Sequence, residues 1–155
     1  MIRPPPILRT TRHDALLHQV ANAYHLPFNV LQAQMIAESN GDPWAFRYEP
    51  AYFLRYIFEH PEAKAYKYGP LAACSFGLLQ ILLETAMEIG FDGQPHELFN
   101  VRVGLSWGAK YLRQCWDHVG GQDSTLKQAL ARYNGIGSKA DRYADLIYRA
   151  AGMDA

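Results

Sequence analysis

The sequence predicts a mainly α fold with a buried central helix, about seven to nine helices and little or no β-structure. Three observations point there. Apolar residues recur at helical spacing along most of the chain, one segment is apolar nearly all round, and the breaks between segments carry helix caps and Gly turns.

Thr11-x-x-Asp14 has the form of a capping box, and Leu16, Leu17, Val20 and Tyr24 follow at helical spacing, so a first helix is expected over 12–25. Pro27 suits the first turn of a second helix carrying Val30, Leu31, Ile36 and Glu38. That helix is the apolar one and should be the central buried element. Residues 41–70 are rich in aromatics, from Trp44, Phe46 and Tyr48 to Tyr66 and Tyr68, broken by Pro43, Pro50 and Pro61, with a short helix expected around 51–60. Ser75 is placed to cap a helix over 77–89 that stops at Gly90, and Asp92-Gly93 marks a turn. Asn100 opens the longest helix, with Val101, Leu105, Leu112, Trp116 and Val119 in one stripe ending at Gly120-Gly121. Leu126, Ala129, Leu130 and Tyr133 define another, closed by Asn134-Gly135. Ser138-x-x-Asp141 is expected to cap the last, with Tyr143, Leu146, Ile147 and Ala150 inward. Residues 1–11 read as a Pro-containing arm and 12–155 as a single domain with one core.

Lys plus Arg equals Asp plus Glu at 15 each, so no overall field favours nucleic acid or an anionic membrane. A hydrophobic fraction of 49% and a charged fraction of 19% describe an ordered globular chain. No apolar run approaches the ~18 residues of a membrane span. Pro4 to Pro6 fall where a signal peptide needs an apolar segment, so no secretion signal is expected. Cys74 and Cys115 read as buried structural thiols, with one disulfide as the alternative. The six histidines show no metal-ligand spacing, and neither metal nor cofactor is expected.

Glu38 is the only acidic residue between Pro27 and Asn40, and it sits where its helix should end. Apolar burial and the negative pole of the helix both disfavour the ionised form, which should push its pKa upward and keep a transferable proton near neutral pH. Glu38-Ser39, the Gly77-Leu78-Leu79-Gln80 string and Tyr133-Asn134-Gly135 each say little alone.

In this order and separation the three segments resemble the catalytic domain of the soluble lytic transglycosylases, lysozyme-like enzymes that cleave peptidoglycan glycan strands. The resemblance covers about residues 13–150, including GLLQILLETAMEIGF and LARYNGIGS. It implies a lysozyme-like fold, with Glu38 as general acid and base and Ser39 orienting the glycan. Gly77 to Gln80 would line the acetamido pocket, where the Leu79 carbonyl and the Gln80 side chain meet substrate. Tyr133 would set its hydroxyl near the catalytic carboxyl, and Asn134 would contact the saccharide. Leu79 stands where the family usually has Met, a volume-conserving change. Arg132 and Ile136 replace small residues beside Tyr133-Asn134, and the connection from Glu38 to Gly77 is longer than in compact members. The Trp44 to Pro50 run looks more like phage-encoded and virion-associated relatives, which implies release through a holin or delivery with the particle to the bacterial wall, as a monomer without membrane insertion.

In the transglycosylase reaction one carboxyl donates a proton to the leaving oxygen, then deprotonates the muramic 6-hydroxyl, which closes a 1,6-anhydro ring. Glu49 leaves an alternative open. Placed opposite Glu38 with water between, it would make an inverting muramidase. The preferred reading is a ligand-binding or loop-fixing residue, paired to Arg47 or Arg55. Among the aromatics, Trp44, Tyr48 and Tyr52 are candidates for a groove wall, with Tyr48 taken as substrate-binding. Glu59, Glu62, Glu84 and Glu88 read as solvated helix faces. A catalytically silent glycan-binding or tail-structural protein is the competing reading from another class.

Overall fold

The computed structural model describes residues 8–154, so the greater part of the Pro-containing arm lies outside the described residues. The chain is mainly helical and divides into two compact units, one taking the described residues up to Gly41 and those from Ala109 onward, the other Asp42–Gly108.

The first unit begins with α1 (Asp14–Ala23), which buries Leu17, Val20 and Ala21. Its start differs from a capping box: the Thr11 hydroxyl donates to Asp14 Oδ1 at 2.7 Å, and His13 stands at the cap without a side-chain bond to the helix. Asp14 is used as an acceptor, taking a further bond from Gln32 Nε2 at 3.1 Å. Burial pushes its carboxyl up, but the bonds from Thr11 and Gln32 outweigh that and hold it below its ordinary value.

Pro27 caps α2 (Phe28–Ser39), in which every residue from Val30 to Ile36 is buried, as an all-round apolar helix requires. The helix stops because Asn40 adopts φ 53° and ψ 30°, the left-handed conformation that Asn tolerates. The end is tied down by Ser39 Oγ donating to the Met35 carbonyl at 3.1 Å and accepting from Gly41 N at 3.2 Å. After α5 (Val101–His118), whose residues to Gly108 belong to the second unit and whose first turn is capped by Asn100 Oδ1 accepting from Val103 N, come α6 (Leu126–Asn134) and α7 (Ser138–Ala150). These last two pack on each other, and α2 packs on both α1 and α7. Ser138 is the first residue of α7 rather than its cap; Gly137 takes that position at φ 89°.

The second unit holds a three-stranded antiparallel sheet of β1 (Phe46–Tyr48), β2 (Cys74–Phe76) and β3 (Ile81–Leu82), with Phe46 opposite Phe76 and Phe76 opposite Ile81. Pro50 starts α3 (Pro50–Tyr52), which widens into a π-helical turn over Phe53–Ile57, within the region where a short helix is expected. The helix expected over 77–89 is the main departure. Ser75 lies in β2, residues 77–80 form a turn, and only α4 (Leu83–Glu88) is helical. Gly77 at φ 74° and Gln80 at φ 50° explain it, since neither left-handed residue can continue a right-handed helix.

Glu84 is not a solvated residue. It is 3% exposed, and its carboxylate accepts the backbone N–H groups of Lys64 at 2.9 Å and Ala65 at 2.6 Å. Burial, then the Glu84 charge and a hydrogen bond with it, holds the neighbouring Glu88 above its ordinary value. Burial, with Glu88 and Glu84 adding, pushes Tyr52 up to about 12. Both cysteines are buried free thiols. Burial raises each, Cys115 to about 11. No described helix is long and apolar enough to cross a membrane.

Glu84→Ala strands two buried N–H donors and should cost about 2–4 kcal/mol. The urea midpoint should fall accordingly, and Glu84→Gln, which keeps one acceptor, should fall less.

Candidate active site

In the first unit the α2 terminus carries Glu38 and Ser39, both half-buried. Two phenols face the Glu38 carboxyl. Tyr133 from α6 is held well above its ordinary pKa by burial of its hydroxyl, then by the Glu38 charge, with Tyr111 and Cys115 adding. Its ring packs on Tyr111 at 5.1 Å between centroids, tilted by 44°. Tyr143 from α7 is raised in the same way, by burial first and then by Glu38, to which its hydroxyl is a hydrogen-bonding neighbour. Both phenols therefore stay neutral and face the carboxyl as O–H groups.

A carboxyl flanked by neutral donors can exist either protonated or ionised without a buried counter-charge, which suits a group that first gives and then takes a proton. Ser39 spends its hydroxyl on the helix end, so it stiffens the position of Glu38. Asn134 is exposed at the last residue of α6, beside Gly135 at φ 144°, and Ile136 next to it is 92% exposed.

The second unit contains the other expected site residues. Gly77 accepts no side chain: a Cβ there would lie 2.8 Å from the Leu98 carbonyl oxygen. Leu79 is fully buried, packed where α5 lacks a side chain at Gly108, whose own Cβ would meet Leu79 at 2.7 Å. Gln80 turns its amide inward, with Nε2 donating to the carbonyls of Ala45 and Gly77, each at 3.0 Å. The segment is thus a rigid turn stapled to the start of β1, and the Gln80 side chain is part of the staple.

Glu49 pairs with Arg47, Oε1 to Nε at 2.5 Å, while its backbone bonds to Ala73 and Phe53. Tyr48 is 41% exposed and Trp44 72%, with Trp44 resting on Phe99 at 5.5 Å and Phe46 on Phe76 at 5.2 Å. Tyr52 packs on Tyr56 at 4.7 Å.

Two residues near Glu38 escaped sequence reasoning. Tyr143 reads as one more inward residue of an amphipathic helix, and nothing local marks its hydroxyl. Gln34 lies one turn before Glu38 on the same helix face, and a polar side chain at that spacing inside an apolar helix is the signal that could have found it.

Gly77→Ala tests the turn. The left-handed φ and the clash with the Leu98 backbone should together cost about 2–4 kcal/mol. A melting curve superimposable on that of the wild type would show the turn to be more plastic than its geometry implies.

The family model described as the transglycosylase SLT domain matches residues 15–152. No curated protein and no solved structure matches the chain.

Proposed function

The chain belongs to the transglycosylase SLT domain family, whose members act on peptidoglycan, and on that premise we propose that it is a lytic transglycosylase cutting the MurNAc-GlcNAc β-1,4 bond with formation of 1,6-anhydromuramic acid. The observation that carries the reading is Glu38, at the end of a buried helix and faced by the neutral hydroxyls of Tyr133 and Tyr143.

Glu38 enters as the acid and protonates the glycosidic oxygen as the bond to C1 breaks. The developing positive charge at C1 is met by the oxygen of the muramic 2-acetamido group, as in substrate-assisted glycosidases. Glu38, now a carboxylate, removes the proton from the muramic 6-hydroxyl, whose oxygen closes on C1. The proton returns to Glu38 and no water is consumed. Tyr133 and Tyr143 supply the hydrogen bonds that the carboxylate needs between the two transfers. Ser39 and Asn134 belong to the same reading as saccharide-orienting residues, with Gly77, Leu79 and Gln80 shaping the acetamido pocket and Tyr48 offering a ring for a sugar face.

The pairing of Glu49 with Arg47 supports a loop-fixing role for that acid, since it ties the carboxylate to the adjoining strand. The resemblance of the Trp44 to Pro50 run to phage-encoded relatives supports a lysin or a virion-associated enzyme that works at the bacterial wall as a monomer.

Digestion of purified sacculi with mass analysis tests the reaction: each new glycan end should lack one water relative to a free reducing end. Glu38→Gln should fold normally and lose activity by about 10²-fold or more. Loss below about tenfold would remove Glu38 from the role of acid. Glu49→Gln should retain a measurable reaction with the same anhydro ends. If it is as inactive as Glu38→Gln and wild-type ends are reducing, the enzyme is a hydrolytic muramidase.

A further inference from the structure

Gln34 presents an unresolved demand at the centre of the first unit. It is 0% exposed, and neither Nε2 nor Oε1 of its amide has a hydrogen-bond partner among the described residues. A buried primary amide left in that state is costly, and an apolar residue of the same volume would serve packing better. The hydroxyl of Tyr143 is in the same condition, sealed from solvent without an aligned partner. These two groups are neighbours. Gln34 stands four residues before Glu38 on the same face of α2, α7 packs on α2, and the Tyr143 hydroxyl lies within hydrogen-bonding influence of both Gln34 and Glu38. The three side chains thus place polar groups from the helix interior to the carboxyl.

We infer that Gln34 is a positioning residue acting through Tyr143: its amide donates to the Tyr143 oxygen, so that the hydroxyl proton is directed at, and polarised toward, the Glu38 carboxyl. The direction of each bond follows from chemistry. Ionised Glu38 can only accept, so Tyr143 must donate to it, and the Tyr143 oxygen is then left as an acceptor for Gln34. A donor into that oxygen strengthens the bond it makes onward. The influences on Tyr143 agree with this arrangement, because Glu38 holds its proton on while Gln34 eases it off. In this arrangement the chain from Gln34 favours the carboxylate form of Glu38 over the acid.

The other titratable or charged groups around the carboxyl are Tyr133 on α6, backed by Tyr111 and Cys115 of α5 with Arg132 near Cys115. Beyond the end of α2, the His13 ring bonds the Gly41 carbonyl oxygen at 3.0 Å and Arg9 bonds Asn40. All of them remain in place in the variants below.

The inference rests on Glu38 being the working carboxyl, but its test does not need turnover. The carboxyl carbon of Glu38 is followed by 13C NMR through a pH titration in the full chain, in wild type, Gln34→Met, Tyr143→Phe and the double variant. Tyr143→Phe should raise the Glu38 midpoint by roughly one pH unit. Gln34→Met should raise it by a smaller amount in the same direction, and the double variant should match Tyr143→Phe, because Gln34 acts only through the hydroxyl. In an active enzyme the alkaline limb of the kcat profile should move up with the midpoint. Gln34→Met should still fold, since an apolar side chain of similar volume takes the place of the buried amide. A Gln34→Met midpoint equal to wild type, or effects that add in full in the double variant, would overturn the inference. Intact sacculi after wild-type digestion would end the assignment of the reaction and leave the titration result standing. Should Gln34→Met fail to fold, Gln34→Leu carries the same comparison, and failure of both would show a structural role and overturn it.

Discussion

Complete burial of α2 from Val30 to Ile36 is the constraint on which the first unit depends. A helix enclosed on every side has no solvent to satisfy a polar side chain, so each one it carries needs a partner from a neighbouring element. Gln32 meets the demand by donating to the Arg9 carbonyl at 2.9 Å and to Asp14. Gln34 makes no such bond among the described residues, whereas Glu38 has phenols from α6 and α7 beside it instead of cations. The choice matters chemically. A buried Arg or Lys would lock Glu38 in its ionised form, whereas neutral hydroxyls leave both protonation states accessible.

The helix end has a second requirement, a fixed position. Asn40 in the left-handed conformation and Ser39 folded back on Met35 stop α2 at the carboxyl, so that Glu38 projects from the last turn without fraying. His13 and Arg9 tie the following residues to the start of the chain. Precision at one side chain is obtained by consuming the hydrogen-bonding capacity of its neighbours, which is why Ser39 and Asn40 are better understood by the bonds they make than by their polarity.

The second unit solves a different problem, holding a turn of unfavourable backbone geometry. Gly77 and Gln80 both have positive φ, and the turn persists because Gln80 bridges two carbonyls while Leu79 fills the space above Gly108. Glu84 plays the corresponding part farther along, accepting two backbone N–H groups from the segment that precedes β2. Its charge is carried forward to Glu88 and Tyr52, so one buried carboxylate shapes the ionisation of its surroundings as well as the path of a loop.

Local pattern by itself determined the helices α1, α2, α5, α6 and α7, because an apolar stripe at a period of 3.6 is written in consecutive residues. It also determined that α2 is enclosed and that Glu38 stands at its end, beside a Tyr-Asn-Gly terminus elsewhere in the chain. What only the tertiary structure decided depends on partners distant in sequence or on backbone sign. The apolar run after Gly77 looks helical until the left-handed φ values divide it into strand, turn and helix. Glu84 looks like any helix-face acid until the Lys64 and Ala65 backbone arrives. Tyr143 looks like packing until its hydroxyl is set against Glu38 and Gln34. Periodicity reports which face of an element is buried, and the identity of what covers that face is a property of the fold alone.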